Sequence, residues 1–205
     1  MTLAADDSMR VEERITYDFG SNRRHGITRD IPIVFKYNDD QNREYPISDI
    51  SVSSPSGAPD DLAEDIGEQA SLQIGDEDID DVTGVQEYVI SYTLKGVVNT
   101  FSDHQELYWN PVGNQWDVPI EQATAVVRGP AKITKALCFR GAQASTQTCT
   151  STVGTNGEVR FDSAGPLDVR SGMTIVTSFP SGTFPDAAPI LKAGGKFQDA
   201  FGLTP

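Results

Sequence analysis

The fold class of this chain is decided by the stretch Val85-Gln86-Glu87-Tyr88-Val89-Ile90-Ser91-Tyr92-Thr93-Leu94-Lys95. Tyr88, Ile90, Tyr92 and Leu94 occupy alternate positions in it, and alternate side chains of a β-strand point to the same face. Aromatic and β-branched residues also suit a pleated, half-buried surface. The stretch therefore predicts a long strand with one buried face.

The same period of two recurs along most of the chain, whereas the 3.6-residue period of an amphipathic helix is nearly absent. Near the N-terminus, Val11, Ile15, Tyr17 and Phe19 share one parity, and Glu13 is the polar exception among these positions. Further alternating runs lie at 31–37, 46–52, 70–74, 123–127, 133–139, 159–161 and 173–179. These runs predict strands that each bury one face.

Turn-forming residues separate the runs, and the sharpest signal among them is Asn156-Gly157. It lies between Thr146–Val153 and Glu158–Asp162, where an Asn-Gly pair can supply the two positive φ angles of a type I′ hairpin. Runs at this spacing predict an all-β fold, an antiparallel β-sandwich of about ten to eleven strands.

The expected organisation is one β-sandwich domain over residues 9–184, preceded by a disordered segment at residues 1–8. Residues 185–205 are expected to be a linker toward a membrane segment absent from this chain. A single unit is favoured because no long Pro/Ser/Gly linker separates the halves, and any subdivision is expected near 117–122. At most one short helix is expected, over Asp60–Glu68, where an aspartate can cap it.

The chain is acidic, with 16 Lys and Arg against 30 Asp and Glu and a formal charge of −14. Such a field repels phosphate backbones, so nucleic acid is not expected as a partner. No apolar stretch approaches the roughly 18 residues that cross a bilayer, and the N-terminus lacks the basic and apolar regions of a signal peptide. By itself, the chain is therefore expected to be soluble, and any membrane attachment is expected through segments outside this chain.

The two cysteines, Cys138 and Cys149, have ten residues between them. Two interpretations are open: free thiols in a cytosolic protein, or a disulfide that clips a hairpin in an oxidising compartment. The segments on both sides have the pattern of strands, which favours the disulfide.

A calcium-loop spacing is present at Asp76, Asp78, Asp80 and Glu87, which fall at its positions one, three, five and twelve. Position six is Asp81 rather than glycine, and the flanking segments have the pattern of strands rather than helices. A solvated hairpin loop is the favoured interpretation, with calcium binding as the alternative. No other cofactor is expected.

Tyr108, Trp109 and Trp116 are the candidate ligand-binding residues, because aromatic faces stack on sugar rings and peptides. Core packing at one end of the sandwich is nevertheless the favoured interpretation, with the ligand platform as the alternative. His25 and His104 are the only histidines, and neither accompanies a nucleophile elbow, a His-Glu-x-x-His pair or a nucleotide-binding glycine loop. A structural role is favoured for His25, within a polar cluster that includes Arg24, Arg29 and Asp30, and no catalytic residue is predicted.

Several sequence blocks together carry a family resemblance. They are Val11-Glu12-Glu13-Arg14-Ile15-Thr16-Tyr17-Asp18-Phe19, Arg24-His25-Gly26-Ile27-Thr28-Arg29-Asp30-Ile31-Pro32, Tyr88–Tyr92 with Gly96, Glu106–Asn110 followed by Gly113 and Trp116, Ala123 to Pro130, Cys138-Gly141-Cys149, and Phe179–Gly182. In this order, over about residues 9 to 183, the chain resembles the DUF2207 family of predicted bacterial membrane proteins.

The resemblance implies a signal peptide before this chain, membrane-spanning segments after it, and a position of this region outside the cytoplasmic membrane. It also implies that Cys138 pairs with Cys149. It implies no activity, because the family has none assigned and a fold does not supply one.

Three functions are therefore weighed. We expect a non-enzymatic extracytoplasmic interaction or sensing domain that contacts an envelope protein or polymer through loops or a sheet edge. The alternative is a carbohydrate or peptidoglycan-fragment binding domain that uses Trp109 or Trp116. The second alternative is an enzyme of unrecognised type, which would need a pocket joining His25 or His104 to carboxylates that are distant in sequence.

Overall fold

Strands make up the regular structure of this chain. A computed structural model describes residues 1–194, and no helix occurs within them. The strands are β1 (Thr2–Leu3), β2 (Ser8–Asp18), β3 (Gly26–Pro32), β4 (Val34–Lys36), β5 (Gln41–Glu44), β6 (Ile47–Ser53), β7 (Leu62–Ile66), β8 (Gln69–Gly75), β9 (Val85–Lys95), β10 (Val98–Thr100), β11 (His104–Val112), β12 (Thr124–Val127), β13 (Lys135–Gly141), β14 (Thr150–Val153), β15 (Val159–Asp162), β16 (Gly172–Pro180) and β17 (Ile190–Ala193).

The all-β antiparallel class is confirmed, but the strands of residues 1–194 number 17 rather than ten or eleven. Several of the additional strands, such as β1, β4 and β10, are only two or three residues long, too short for a period of two to register. Two four-stranded sheets have the orders β1-β2-β9-β6 and β10-β11-β16-β13. Three-stranded sheets have the orders β12-β15-β14, β17-β5-β4 and β3-β8-β7.

The chain divides into two compact units. Unit 1 comprises Met1–Glu12 and Thr93–Ala188, and unit 2 comprises Glu13–Tyr92 and, of the described residues, 189–194. The chain passes from unit 1 to unit 2 within β2 and returns within β9. The expected break near 117–122 coincides with none of these boundaries: two crossings lie inside continuous strands, where no linker composition marks them, and the third lies between Ala188 and Pro189.

In unit 1, the segment that follows β16 is fixed to the β10-β11-β16-β13 sheet by the buried side-chain amide of Gln105. The Gln105 side chain accepts a hydrogen bond from Phe184 N at 2.8 Å and donates one to Phe184 O at 2.8 Å. The Phe184 ring meets Phe179 edge to face, with centroids 5.2 Å apart. A Cβ at Gly129 would lie 2.3 Å from the Phe179 ring, so this position requires glycine.

The N-terminal segment 1–8 is ordered, contrary to the expectation of disorder. Thr2 and Leu3 pair with β2, and Leu3 is only 3% exposed. The buried carboxylate of Asp7 accepts a hydrogen bond from Val98 N at 2.8 Å. A strand of two residues and one buried carboxylate leave no periodic signal, which is why the sequence did not predict this ordering.

In unit 2, the helix expected over Asp60–Glu68 is wrong. This segment contains β7, which pairs with β8 from Leu62 opposite Ile74 to Ile66 opposite Ala70. A helix of one or two turns has a costly nucleus and is marginal by itself. The antiparallel pairing with β8 gives the same backbone N–H and C=O groups hydrogen-bond partners, so the segment forms a strand rather than a helix.

The segment 185–205, expected to be a linker, contains β17 of unit 2. Ile190 to Ala193 pair with β5 in antiparallel register, from Ile190 opposite Glu44 to Ala193 opposite Gln41. The Lys192 ammonium also meets the Glu44 carboxylate at 2.5 Å. The remainder of the expected linker, residues 195–205, lies outside the described residues.

The hairpin at Asn156-Gly157 forms between β14 and β15, but its turn differs from the expected type I′. Val153 pairs with Val159, so the loop exceeds two residues. Gly157 N donates to Gly154 O at 3.2 Å, and Gly157 alone in the turn has a positive φ, of 77°. This pattern is typical of longer hairpin loops in which one glycine adopts the left-handed conformation.

Candidate functional site

A buried ion pair in unit 2 joins the two N-terminal sequence blocks. Arg29 Nε lies 2.7 Å from Glu13 Oε2, and Arg29 Nη2 lies 3.0 Å from Glu13 Oε1. The two side chains are 5% and 14% exposed. Two parallel N–H to O bonds are the strong, geometrically specific form of this contact. Glu13 therefore interrupts the apolar alternation of β2 because it is the partner of an inward-facing cation on β3.

Tyr92 of β9 completes this cluster. Its hydroxyl donates to Glu13 Oε1 at 2.5 Å, and Arg29 Nη1 also donates to Asp30 O. Burial opposes the charge on Arg29, but the Glu13 carboxylate outweighs it and the pKa of Arg29 is raised. Burial, reinforced by Glu13, raises the pKa of Tyr92 well above its ordinary value. At neutral pH the Arg29 guanidinium is therefore charged and the Tyr92 phenol is neutral.

The expected polar cluster around His25 forms only in part. Arg24 is exposed, and its Nη1 donates to Arg23 O at 2.8 Å. His25 Nδ1 lies 3.0 Å from Ile79 O, which ties the strand entry to the acidic loop. Asp30 Oδ1 is buried without a hydrogen-bond partner among the described residues. Arg29 is thus the member that forms the buried contacts: it pairs with the Glu13 carboxylate and also donates to the backbone carbonyl of Asp30.

Tyr92→Phe is expected to lower the free energy of unfolding by about 2 kcal/mol at neutral pH, the usual value of a buried hydrogen bond to a charged group. Because the folded state raises the Tyr92 pKa, this stabilisation is fully present below the ordinary value near 10 and is lost as the pH rises further. Urea unfolding between pH 7 and alkaline pH measures both effects, and the stability of the variant should fall less steeply above about pH 10.

Tyr88→Phe is the matched control for that variant. Tyr88 is another fully buried tyrosine of β9, but its hydroxyl has no hydrogen-bond partner among the described residues. Removing an unpaired hydroxyl should change the stability little at neutral pH. Equal losses in the two variants at pH 7 would contradict the assigned role of Tyr92.

The four carboxylates of the calcium-loop spacing do not converge. Asp80 Oδ1 accepts from Arg23 Nη2 at 2.7 Å, and this hydrogen bond lowers the pKa of Asp80. Asp76 Oδ1 accepts from Asp78 N at 2.8 Å, and Glu87 Oε2 lies 3.8 Å from an Arg14 nitrogen. Within residues 1–194, no three His, Cys, Asp or Glu side chains are grouped to hold a metal ion.

The three candidate aromatic residues do not form one platform. Tyr108 is 52% exposed, whereas its neighbour Trp109 is 7% exposed and belongs to the core of unit 1. Adjacent residues of a strand point to opposite faces, so β11 can display only one of the two. Trp116 is half-buried in the connection between β11 and β12, where its carbonyl accepts a hydrogen bond from Arg170 N at 3.0 Å.

His104 meets carboxylates that are its sequence neighbours rather than distant ones. Its Nδ1 lies 2.7 Å from Asp103 Oδ1, and its Nε2 lies 3.7 Å from Glu106 Oε2. The ring stacks on Phe101 with centroids 4.7 Å apart. The hydrogen bond with His104 lowers the pKa of Asp103. These contacts order the β10–β11 hairpin.

A groove of about 340 Å³ lies in unit 2. Its lining residues are Ser56, Gly57, Ala58, Pro59, Ile79, Asp81, Val82, Thr83 and Gln86. Neither histidine lines this groove, so it does not join His25 or His104 to distant carboxylates.

The exposed face of the β10-β11-β16-β13 sheet carries an apolar row that the sequence did not predict. Tyr108 and Leu137 both pair with Val176, which lies between them and is 7% exposed, whereas Leu137 is 38% exposed. On the flanking row, the Thr174 hydroxyl donates to Asn110 Oδ1 at 2.7 Å. We call these five residues the Tyr108 face.

The disulfide between Cys138 and Cys149 is confirmed, so the alternative of two free thiols does not hold. The two Cα atoms are 5.0 Å apart, and Cys149 N donates to Cys138 O at 3.0 Å. Cys138 takes an inward position of β13, and this leaves Leu137 on the opposite face. The bridge therefore closes the connection that leads from β13 to β14.

These features define an all-β domain that is held together by a buried ion pair in unit 2 and a disulfide in unit 1. The chain belongs to the DUF2207 family, because the family model described as "Predicted membrane protein (DUF2207) N-terminal domain" matches residues 1–179. Neither the curated proteins nor the solved structures yield a match to the chain. Among residues 1–194, no helix has the length and apolarity needed to cross a membrane.

Proposed function

We propose that this region is a non-enzymatic interaction or sensing domain, displayed outside the cytoplasmic membrane by a membrane protein, and that the Tyr108 face contacts an envelope protein. The family description supports attachment to a membrane protein. The disulfide supports the extracytoplasmic side, because such bonds persist in oxidising compartments and are rare in the cytosol of most organisms.

The exposed apolar side chains of Tyr108 and Leu137 on the Tyr108 face are the observation that supports contact with a protein. Tyr108 and Leu137 stand on a rigid four-stranded sheet with little backbone ordering left to lose on binding. Exposed apolar side chains rimmed by polar ones are typical of interaction surfaces, and tyrosine is enriched among the residues that dominate binding energy. The flanking Asn110 and Thr174 supply the polar rim.

A photo-crosslinking amino acid placed at Tyr108 of the full-length membrane protein is expected to give a discrete adduct with an envelope protein in native membranes. Val169 is the matched control position, because it is an apolar residue of unit 1 with 49% exposure that lies outside the Tyr108 face. Gel mobility and mass spectrometry of the adducts are the measurements. Adducts of the same pattern from both positions, or none from Tyr108, would count against this surface.

A carbohydrate or peptidoglycan fragment is the second candidate ligand. The exposed phenol ring of Tyr108 can stack on a sugar, while Asn110 and Thr174 can hydrogen-bond its hydroxyls. Soluble cell-wall fragments added to the crosslinking experiment separate the two candidates. Loss of the protein adduct on adding these fragments would favour the saccharide as the occupant of the Tyr108 face.

A further inference from the structure

Two aromatic side chains are exposed at one edge of unit 2. Phe35 and Tyr37 are 39% and 51% exposed. They occupy alternate positions of the β4 edge, and Tyr37 N continues the ladder by donating to Gln41 O at 3.0 Å. The Phe35 ring packs edge to face against Tyr45, with centroids 5.6 Å apart. The alternation places the two residues on the same side of the sheet, and the contact with Tyr45 fixes the Phe35 ring.

This edge lies in the same sheet as β17. The sheet order is β17-β5-β4, so one row runs from Leu191 through Arg43 to Phe35. The spacing of hydrogen-bonded strands places β4 about 10 Å from β17. β17 follows residues 1–179, which match the N-terminal domain of a predicted membrane protein, so a membrane-bound remainder of such a protein would continue from this sheet.

On the side of the rings, Arg43 and Tyr45 are only 7% and 9% exposed, and the Arg43 guanidinium lies over the Tyr45 ring. Phe35 and Tyr37 are therefore the exposed residues at the edge of this side. The other side carries exposed charge. Lys36, Glu44 and Lys192 share the side opposite the two aromatic rings, and Lys192 is paired with Glu44. Exposed aromatic rings are enriched where proteins meet the membrane–water interface. The net charge of −14 opposes binding to anionic lipids. A zwitterionic lipid interface is therefore the surface that suits the Phe35–Tyr37 side.

We propose that the Phe35–Tyr37 edge of unit 2 contacts the bilayer interface of the membrane that holds this protein. This contact rests on the membrane attachment in the proposed function, but it involves a different unit and a different surface from the Tyr108 face, so contact at either surface can fail without the other. Attachment near β17 raises the effective concentration of lipid at this edge, so contact does not require strong binding by the free domain.

The test uses tryptophan as a reporter of lipid contact. The 205-residue chain, with a histidine tag after Pro205, is held on phosphatidylcholine vesicles that contain nickel-chelating lipid and brominated acyl chains. In Tyr37→Trp, most of the emission added by the new tryptophan is expected to be quenched. The parent chain, whose tryptophans are Trp109 and Trp116, supplies the background to subtract. Vesicles without bromine give the unquenched emission.

Two variants control for proximity and exposure. Lys36→Trp places the reporter one residue away on the other side of β4, and Tyr108→Trp places it at a tyrosine of matching exposure in unit 1. Neither should lose its added emission. Equal quenching in Lys36→Trp and Tyr37→Trp, or quenching in neither, would overturn the proposal. If Tyr37→Trp does not fold, Phe35→Trp gives the same readout from the same side.

Discussion

Replacing Arg29 with methionine is expected to lower the free energy of unfolding by about 3–5 kcal/mol, which places it among the most damaging single substitutions in this chain. The carboxylate of Glu13, only 14% exposed, would lose both of its guanidinium bonds and keep only the Tyr92 hydroxyl. An uncompensated buried charge is costly because water no longer solvates it. Urea unfolding followed by circular dichroism measures the loss.

Arg24→Met is the matched control, because Arg24 lies in the same sequence block but its side chain is exposed and donates to the carbonyl of the neighbouring Arg23. It should change the stability by less than about 0.5 kcal/mol. A triple variant removes both charges and the Tyr92 hydroxyl together: Glu13→Leu, Arg29→Met and Tyr92→Phe. It should recover much of the free energy of unfolding that Arg29→Met loses. A deficit in Arg29→Met no larger than in Arg24→Met would refute the assigned role of the ion pair.

Removal of the disulfide by Cys138→Ala with Cys149→Ala is expected to lower the free energy of unfolding by about 3 kcal/mol. The bridge joins two residues that are 11 positions apart in the sequence. Its main effect is to reduce the conformational entropy of the unfolded chain. Thermal unfolding of the oxidised parent and of the double variant, both without reductant, is the measurement. Reducing the parent should reproduce the lower stability, whereas reductant should leave the double variant unchanged.

The same cysteines test the proposed location of the domain. When cells are treated with a permeant thiol-blocking reagent before lysis, neither Cys138 nor Cys149 should be labelled, even after denaturation in the presence of the reagent. Labelling of both residues in the full-length protein would show that they are reduced in the cell. That result would contradict the extracytoplasmic side while leaving membership of the family intact.

Much of the fold could be predicted from alternation alone. The strand predicted at Val85–Lys95 is β9, with Tyr88, Ile90, Tyr92 and Leu94 fully buried. The misfit of Glu13 in β2 was visible in the sequence as well. Its partner was not, because a period of two shows which face a residue takes and not which residue of another strand it meets.

The candidate sites were harder to predict, for identifiable physical reasons. The alternating run at 133–139 predicts that Leu137 shares the buried face with Ile133. In the structure β13 begins only at Lys135, and Cys138 takes the buried side instead. The opposite orientations of Tyr108 and Trp109, by contrast, follow directly from their adjacency in a strand. Spacing along the chain also cannot show that two of the four carboxylates considered for calcium pair with arginine side chains: Asp80 pairs with Arg23, and Glu87 pairs with Arg14.

The crossing of the chain between units inside β2 has a consequence for the order of synthesis. Unit 2, apart from its last strand, is complete once Tyr92 has emerged, so its core can form early. Met1–Glu12, which include the buried Met9 and Val11, must wait for partners between Thr93 and Ala188. At usual rates of chain elongation this delay is about 5–20 s. Residues 1–12 precede unit 2 in the chain yet complete their packing after it, so the apolar side chains of Met9 and Val11 remain exposed to solvent throughout that interval.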